Sequence, residues 1–246
     1  MMHVNESYTP RVARFRDLTA ESAILHTILA DAVDPVVLER FLIEYCSLGV
    51  QITEPVEGWI DRAGHRCIDI GMQSIGEALL DHAHHEAGHH LMFMEDTRKL
   101  VTEWNVRHSW SLDADALFAR PVTRAMKHYI ALHEETIAGG TPFGQVAIEL
   151  EIERLSVVLV PKLLAQVDRV LGKSIVGVLS FLRSHGELDI GHTHLNTKMM
   201  DALLCARPEA VGDLARLGAE ALFIYTGIFS DCWDSARRDC NAHLPS

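Results

Sequence analysis

Two groups of histidine and acidic residues share one spacing and consist of residue types that bind transition metals. In each group a histidine is followed four positions later by an acid and seven positions later by another histidine: His82-Glu86-His89 and His185-Asp189-His192. On an α-helix these offsets fall within about 60° of arc, so each triplet faces one way. Imidazole and carboxylate together suit iron, zinc or manganese. Composition predicts about 0.1 chance match in a chain of this length. The repeated pattern therefore predicts metal held between two helices.

A third acidic segment offers further carboxylates. In the stretch Val146 to Glu153, Glu149 and Glu153 are four positions apart and share a helix face, whereas Glu151 points elsewhere. The neighbouring residues are mostly apolar, so at least one acid should face the core. A buried carboxylate needs a partner, and a metal cation is a suitable one. The alternative is an acidic, solvated edge of an amphipathic helix.

Other interpretations of the histidines remain open. The run His85-Glu86-Ala87-Gly88-His89 fits the H-E-x-x-H motif of zinc hydrolases, in which both histidines bind zinc and the glutamate acts as base. That motif explains only one of the two histidine groups, so we rank it second. The triplets could also be surface histidines within ordinary i, i+4 helix pairs.

Helix signals dominate the elements that must position these residues. Asp34-Pro35 supplies an N-cap and a first-turn proline, Gly172 follows a helical pattern as a C-terminal glycine should, and no alternating strand pattern occurs. We predict one all-α domain over residues 1–246 with seven or eight helices, preceded by an extended segment over residues 1–16. The predicted helices run from Pro35 to about Leu48, Ile68 to Trp104 (with Gly71, Gly76 and Gly88 as kinks or close contacts), a short one after Asp113, Pro121 to Ile137, Pro142 to Leu171 (bent at Pro161), Ser174 to Cys205, and Pro208 to about Arg237.

Composition and net charge exclude some classes of binding partner. The net charge of −12 argues against nucleic acid and against an anionic membrane surface. No apolar run is long enough for a membrane span, and residues 1–16 lack the apolar segment of a signal peptide. The five cysteines show no CxxC pair and are predicted to be reduced thiols. We therefore expect a cytoplasmic protein with a small-molecule substrate, and allow for a homodimer.

These residues resemble the heme-oxygenase-like non-heme diiron oxidases and oxygenases, over roughly residues 77 to 200. Glu86 and His89 are similar to the first ligand helix of that family. Glu153 lies 32 residues before His185 and fits the middle ligand helix better than Glu149. The run from His185 to His192 matches the final family motif without a gap. One departure is His82, which stands where some members have glutamate.

The resemblance implies a fold, a cofactor and a class of reaction. The fold is the seven-helix bundle shared with heme oxygenase and thiaminase II-like proteins. The cofactor is a pair of Fe(II) ions with O2 as co-substrate. The reaction is oxidation of a small, amino-acid-type substrate in specialised metabolism, by N-oxygenation or by C–C cleavage to a nitrile, alkene or similar product. The implied metal ligands are His82, Glu86, His89, Glu153, His185, Asp189 and His192, with Glu86, Glu153 and Asp189 as the catalytic carboxylates.

Two further functions are compatible with the same bundle. A thiaminase II-like hydrolase needs a nucleophilic cysteine near acids, and the late cysteines Cys205 and Cys232 have no obvious base beside them. A protein that stores or scavenges iron would bind metal without consuming oxygen.

Overall fold

The structure is a computed structural model that describes residues 1–243, apart from the side chain of Glu187. Within residues 1–243 the chain forms twelve α-helices, a π-helical turn (Val4–Tyr8), two short 3-10 helices (Pro142–Gly144 and Pro208–Ala210) and no β-strand. None of these helices is both long and apolar enough to cross a membrane. The α-helices are α1 (Thr9–Ala20), α2 (Ala23–Ile28), α3 (Pro35–Thr53), α4 (Val56–Asp69), α5 (Gln73–Glu86), α6 (His89–Arg107), α7 (Ala114–Phe118), α8 (Arg124–Ala138), α9 (Gln145–Leu171), α10 (Lys173–Val178), α11 (Ser180–Ala206) and α12 (Val211–His243).

Several helices begin and end where capping residues predict. The Asp34 carboxylate accepts hydrogen bonds from the backbone N–H groups of Val36 and Val37, which are orphan donors at the start of α3. Asp113 caps α7 in the same way. At the other end of a helix, Gly172 follows α9 with a φ of 88°, a conformation that favours glycine. These local signals confirm the predicted starts of α3 and α7 and the end of α9.

The prediction of an extended segment over residues 1–16 is wrong, because this part of the chain is helical. Val4, Tyr8 and Val12 are spaced four apart and are all buried, so they form an apolar stripe of the kind that stabilises a packed helix. Polar neighbours on the other positions mask this stripe in the sequence. The helix packs against α12 and brings Tyr8 close to α9.

The long helix predicted from Ile68 to Trp104 is interrupted twice. Gly71 (φ 82°) separates α4 from α5, and Gly88 (φ 79°) separates α5 from α6. L-residues with a side chain rarely adopt this backbone conformation, which ends an α-helix. Pro161, by contrast, lies inside α9 without ending it. The first triplet is therefore divided between two helices rather than carried by one.

The helices that carry the chemical residues meet around α11, which contacts α5, α6 and α9. In addition, α9 and α3 both pack against α12, α3 packs against α6, and α4 lies along α5. Large apolar side chains such as Phe41, Trp59, Trp104 and Phe143 fill the core around them. Within this arrangement α5, α6, α9 and α11 converge, and the candidate metal ligands are carried by these four helices.

A close contact between two glycines sets the position of α5. A Cβ atom at Gly76 would lie 2.6 Å from the carbonyl oxygen of Gly64 on α4, and it would also meet the side chain of Ile68. The missing side chains allow the two backbones to approach more closely than most helix pairs. Since α5 carries His82 and Glu86, this contact positions part of the site.

We expect Gly76→Ala to lower the free energy of unfolding by about 1–3 kcal/mol, because the added methyl group is forced against backbone. The matched control is Gly58→Ala on α4, where nothing lies within 4 Å of the new methyl group. There the better helix propensity of alanine should stabilise by about 0.5 kcal/mol. Denaturant unfolding of both variants measures the difference, and equal stabilities would contradict the close approach.

Candidate metal centre

The predicted site residues come together at the convergence of four helices. His82 and Glu86 lie near the end of α5, and His89 is the first residue of α6. Glu153 lies on α9, and the second triplet lies on α11. Residues that are more than 100 positions apart in sequence therefore place their polar atoms in one region. His82, Glu153, His185 and Asp189 are buried, and Glu86, His89 and His192 are only slightly exposed.

Four of these side chains direct donor atoms at one point. They are His82, Glu86, Glu153 and His192, and one ligand atom of each lies within 4.8 Å of all the others. His82 Nε2 is 3.1 Å from Glu153 Oε1, and His192 Nδ1 is 3.2 Å from Glu86 Oε1. Two ligands bound to one ion through bonds of about 2.1 Å lie about 3–4 Å apart. The separations therefore match a first metal position.

A second group lies on the other side of Glu86. Its members are Glu86, His89 and His185. His89 Nδ1 is 2.9 Å from Glu86 Oε2 and 3.1 Å from His185 Nε2. The same range of separations applies here, so this group matches a second metal position with three protein ligands.

Glu86 belongs to both groups through different oxygen atoms. Its Oε1 faces His192 and His82, while its Oε2 faces His89. A carboxylate shared in this way is the arrangement expected of a bridge between two ions in a helical bundle. The sequence alone placed Glu86 among the ligands but did not predict that it would lie between the two groups.

Two neighbouring groups hold the ligands in place. His185 Nδ1 lies 3.0 Å from the carbonyl oxygen of Phe181 and donates to it, which leaves Nε2 with a lone pair directed at the second group. Asn196 donates from its amide to Glu153 Oε2. Asn196 was missed in the sequence, although it follows His192 by four positions and so extends the same face of α11.

Unsatisfied nitrogen atoms support a cation in the first group. His82 is fully buried, yet neither ring nitrogen forms a hydrogen bond of good geometry, and Nδ1 of His192 also lacks one. Leaving such buried polar atoms unpaired costs about 1–3 kcal/mol each. An ion bound to His82 Nε2 and His192 Nδ1 would remove this cost for those two atoms. The residues present therefore fit a metal pair.

Strong coupling between acids and imidazoles shifts their pKa values. Burial alone would lower the pKa of His82, but contacts with Glu153 and Glu86 outweigh it and raise this pKa to about 10. Burial would raise the pKa of Glu86, yet His192, His82 and His89 hold it well below its usual range. For His185, burial and the nearby His89 lower the pKa to about 4. The carboxylates of the cluster thus favour positive charge beside them, which a protonated imidazole or a bound metal ion would supply.

Asp189 and Glu149 lie beside the two groups rather than within them. Asp189 Oδ1 is 3.9 Å from His192 Nδ1, and burial raises the pKa of this carboxyl group to about 7 despite a hydrogen bond with Ser156. Glu149 Oε1 accepts a hydrogen bond of 2.6 Å from Gln145, and burial raises its pKa to about 8. Ligation by Asp189 stays a prediction. Gln145 also contacts His133, a further buried pair that the sequence did not reveal.

The geometry does not favour the H-E-x-x-H interpretation. His85 is exposed, and its ring stacks on that of His192 at a centroid distance of 5.9 Å. The break at Gly88 also means that His85 and His89 are not one turn apart on a continuous helix. His85 belongs to neither donor group among the residues described.

A cavity of about 100 Å³ opens beside the donor atoms. Its polar end is formed by Glu86, Glu149, Glu153, His185 and Asp189. Side chains from α3, α4, α8, α9, α11 and α12 form the rest of the wall. Most of them are apolar or aromatic, including Tyr45, Tyr129, Ile152, Leu155, Leu159, Val160, Leu163, Phe181, Tyr225 and Phe229. The arrangement places an apolar chamber in contact with the candidate metal centre.

Comparison with known proteins identifies the fold. No family model matches the sequence, and no curated protein matches it. Among solved structures, the chain is similar to a domain of unknown function with a heme oxygenase-like fold from Shewanella denitrificans OS217, determined at 2.30 Å resolution. The TM-score is 0.77 at 18% sequence identity, and the match covers 96% of this chain and 94% of that one. The all-α, heme-oxygenase-like fold predicted from the sequence is therefore confirmed.

We expect Glu153→Ala to reduce metal content much more than Glu149→Ala. Glu153 Oε1 lies within the first donor group, whereas Glu149 contacts Gln145 and lies outside both groups. The loss of one carboxylate ligand should weaken metal binding by at least about tenfold, because removing even a group that only supports a ligand has an effect of that size. Metal analysis of both purified variants checks this, and equal metal content would refute the assignment of Glu153.

Proposed function

We propose that this chain is a non-heme diiron enzyme that uses O2 to oxidise a small organic substrate. The observation that carries the proposal is the division of the Glu86 carboxylate between two groups of donor atoms. One group would hold an ion through His82, Glu86, Glu153 and His192, and the other through Glu86, His89 and His185. The mixed nitrogen and oxygen ligands suit iron, and a carboxylate bridge suits a pair of ions.

Each part of the site has a role in this proposal. A ferrous pair would supply the electrons that reduce O2. Protein ligands from four helices would hold the two ions, and His185 is oriented by its hydrogen bond to Phe181. The cavity wall excludes bulk water from the reacting atoms and binds the apolar part of a substrate. The reaction classes that the resemblance implies, N-oxygenation and oxidative C–C cleavage of an amino-acid-derived substrate, both need such a chamber.

Anaerobic titration with Fe(II), followed by rapid mixing with O2, tests the metal and the chemistry together. We expect two Fe(II) per chain and a transient visible absorption band after oxygen is added. A single tightly bound zinc ion without oxygen chemistry would overturn the proposal. Two bound irons that consume no oxygen would instead support a storage function.

The diiron proposal and the zinc hydrolase alternative assign opposite roles to the neighbouring residues His85 and Glu86. Because His85 is exposed and outside both donor groups, we expect His85→Ala to retain its iron. Glu86→Gln should lose iron from both positions, because an amide cannot bridge two cations as a carboxylate does. A zinc hydrolase would show the reverse, with a metal-free His85→Ala and a fully loaded Glu86→Gln. Metal content of the two variants distinguishes the alternatives.

A further inference from the structure

Among the residues that the structure describes, none with a lysine or arginine side chain lines the cavity beside the candidate metal centre. Its lining comprises apolar and aromatic residues, two small hydroxyl residues, one histidine and four acids, without lysine or arginine. A substrate carboxylate would therefore enter a chamber in which no protein cation meets it. Burying an unpaired carboxylate costs several kcal/mol, as the general penalty for desolvated charge indicates.

Metal ions would add positive charge at the polar end of the cavity, where the acids oppose it. Two divalent cations carry four positive charges, and the four acids that line the cavity (Glu86, Glu149, Glu153 and Asp189) carry up to four negative ones. When all four acids are ionised, the charges balance and leave no net excess to attract a further anion. A cationic or hydrogen-bond-donating group is favoured instead.

Several polar groups of the cavity wall already have partners. The hydroxyl groups of Tyr45 and Tyr225 are 3.1 Å apart and form a hydrogen bond. Both ring nitrogens of His185 have partners, the carbonyl oxygen of Phe181 and the ring of His89. The wall therefore offers few polar positions to a ligand.

Two acids of the wall, Glu149 and Asp189, are buried and lie outside both donor groups. Glu149 is the one that a hydrogen-bonded neighbour orients. Its Oε1 accepts from Gln145, whose amide also contacts His133, so the carboxyl group is held in one orientation. No hydrogen bond to Oε2 occurs within residues 1–243. A buried carboxyl group held in this way is suited to bind a polar donor group of a ligand.

We propose that the substrate is an apolar primary amine without a carboxylate, whose amino group binds Glu149 and whose hydrocarbon part occupies the chamber formed by Leu155, Leu159, Leu163 and Phe229. This inference rests on the proposed function, and it specifies the substrate class of the same site. The amine and the Glu149 carboxyl group can form a hydrogen bond in two ways, as ammonium with carboxylate or as neutral amine with carboxylic acid. The hydrocarbon part gains its binding energy from burial against the apolar wall.

Three ligands with the same number of carbon atoms test which polar group the cavity prefers: hexylamine, hexan-1-ol and hexanoate. Their binding to the anaerobic Fe(II)-loaded protein is measured by titration calorimetry, after the metal content has been determined. We expect hexylamine to bind at least about tenfold more tightly than the alcohol or the acid, since hydrogen bonds to charged groups contribute at this scale. In Glu149→Gln, which preserves shape, the amine should lose that advantage. The control Glu57→Gln removes an exposed acid and should leave all three affinities unchanged.

The outcomes separate this inference from the proposed function. If two irons bind but hexanoate or hexanol is preferred, the amine assignment is wrong and the diiron proposal stands. If the amine preference persists in Glu149→Gln, the amine contacts the metal rather than Glu149, which also overturns the inference. If the protein binds no metal pair, the proposed function fails, and the same titration on the metal-free protein still reports whether Glu149 selects amines. Leu163→Phe should weaken all three ligands alike, and unchanged affinities there would place binding outside the cavity and contradict the inference.

Discussion

Burying several carboxyl groups in one helical core requires compensating positive charge, and the architecture of this protein is arranged around that requirement. Helices α5, α6, α9 and α11 each bring acids or imidazoles to the same region, where water is largely excluded. Imidazole rings alone leave ring nitrogens of His82 and His192 unpaired. Since unpaired buried polar atoms are costly, the core is best stabilised when cations lie among the ligands. The acids concerned are Glu86, Glu149, Glu153 and Asp189.

The acids of α9 have two different kinds of partner. Glu151, on the opposite face from Glu149 and Glu153, accepts hydrogen bonds from Tyr8 and from two nitrogen atoms of Arg16. That acid is compensated by the protein's own cation and ties α1 to α9. Glu153 has no such arginine and is surrounded by imidazole and amide groups. A single helix therefore combines a structural ion pair on one face with a carboxylate of the candidate metal centre on the other.

Local patterns predicted much of this arrangement, and tertiary packing determined the rest. The spacing of the two triplets identified six residues that the fold brings together, because helical periodicity is a local property. The helix of residues 9–20 was missed, since its stripe is short and its stability comes from packing against α12. Gly88 was predicted to be a kink or a close contact within one helix, whereas it separates two helices. Local spacing gives no signal for roles that depend on contacts between distant helices. Examples are the position of Glu86 between two groups and the hydrogen bond from Asn196 to Glu153.

The break at Gly88 affects how the two halves of the centre are joined. If α5 continued through His89, helical pitch would fix that residue relative to Glu86. Instead, Ala87 and Gly88 form a two-residue connection, and His89 is the first residue of a helix that packs mainly against α3. The position of His89 relative to Glu86 is therefore set by how α6 packs on α3 and not by helical pitch. Glu86, the last residue of α5, is the group at which the two halves of the centre meet.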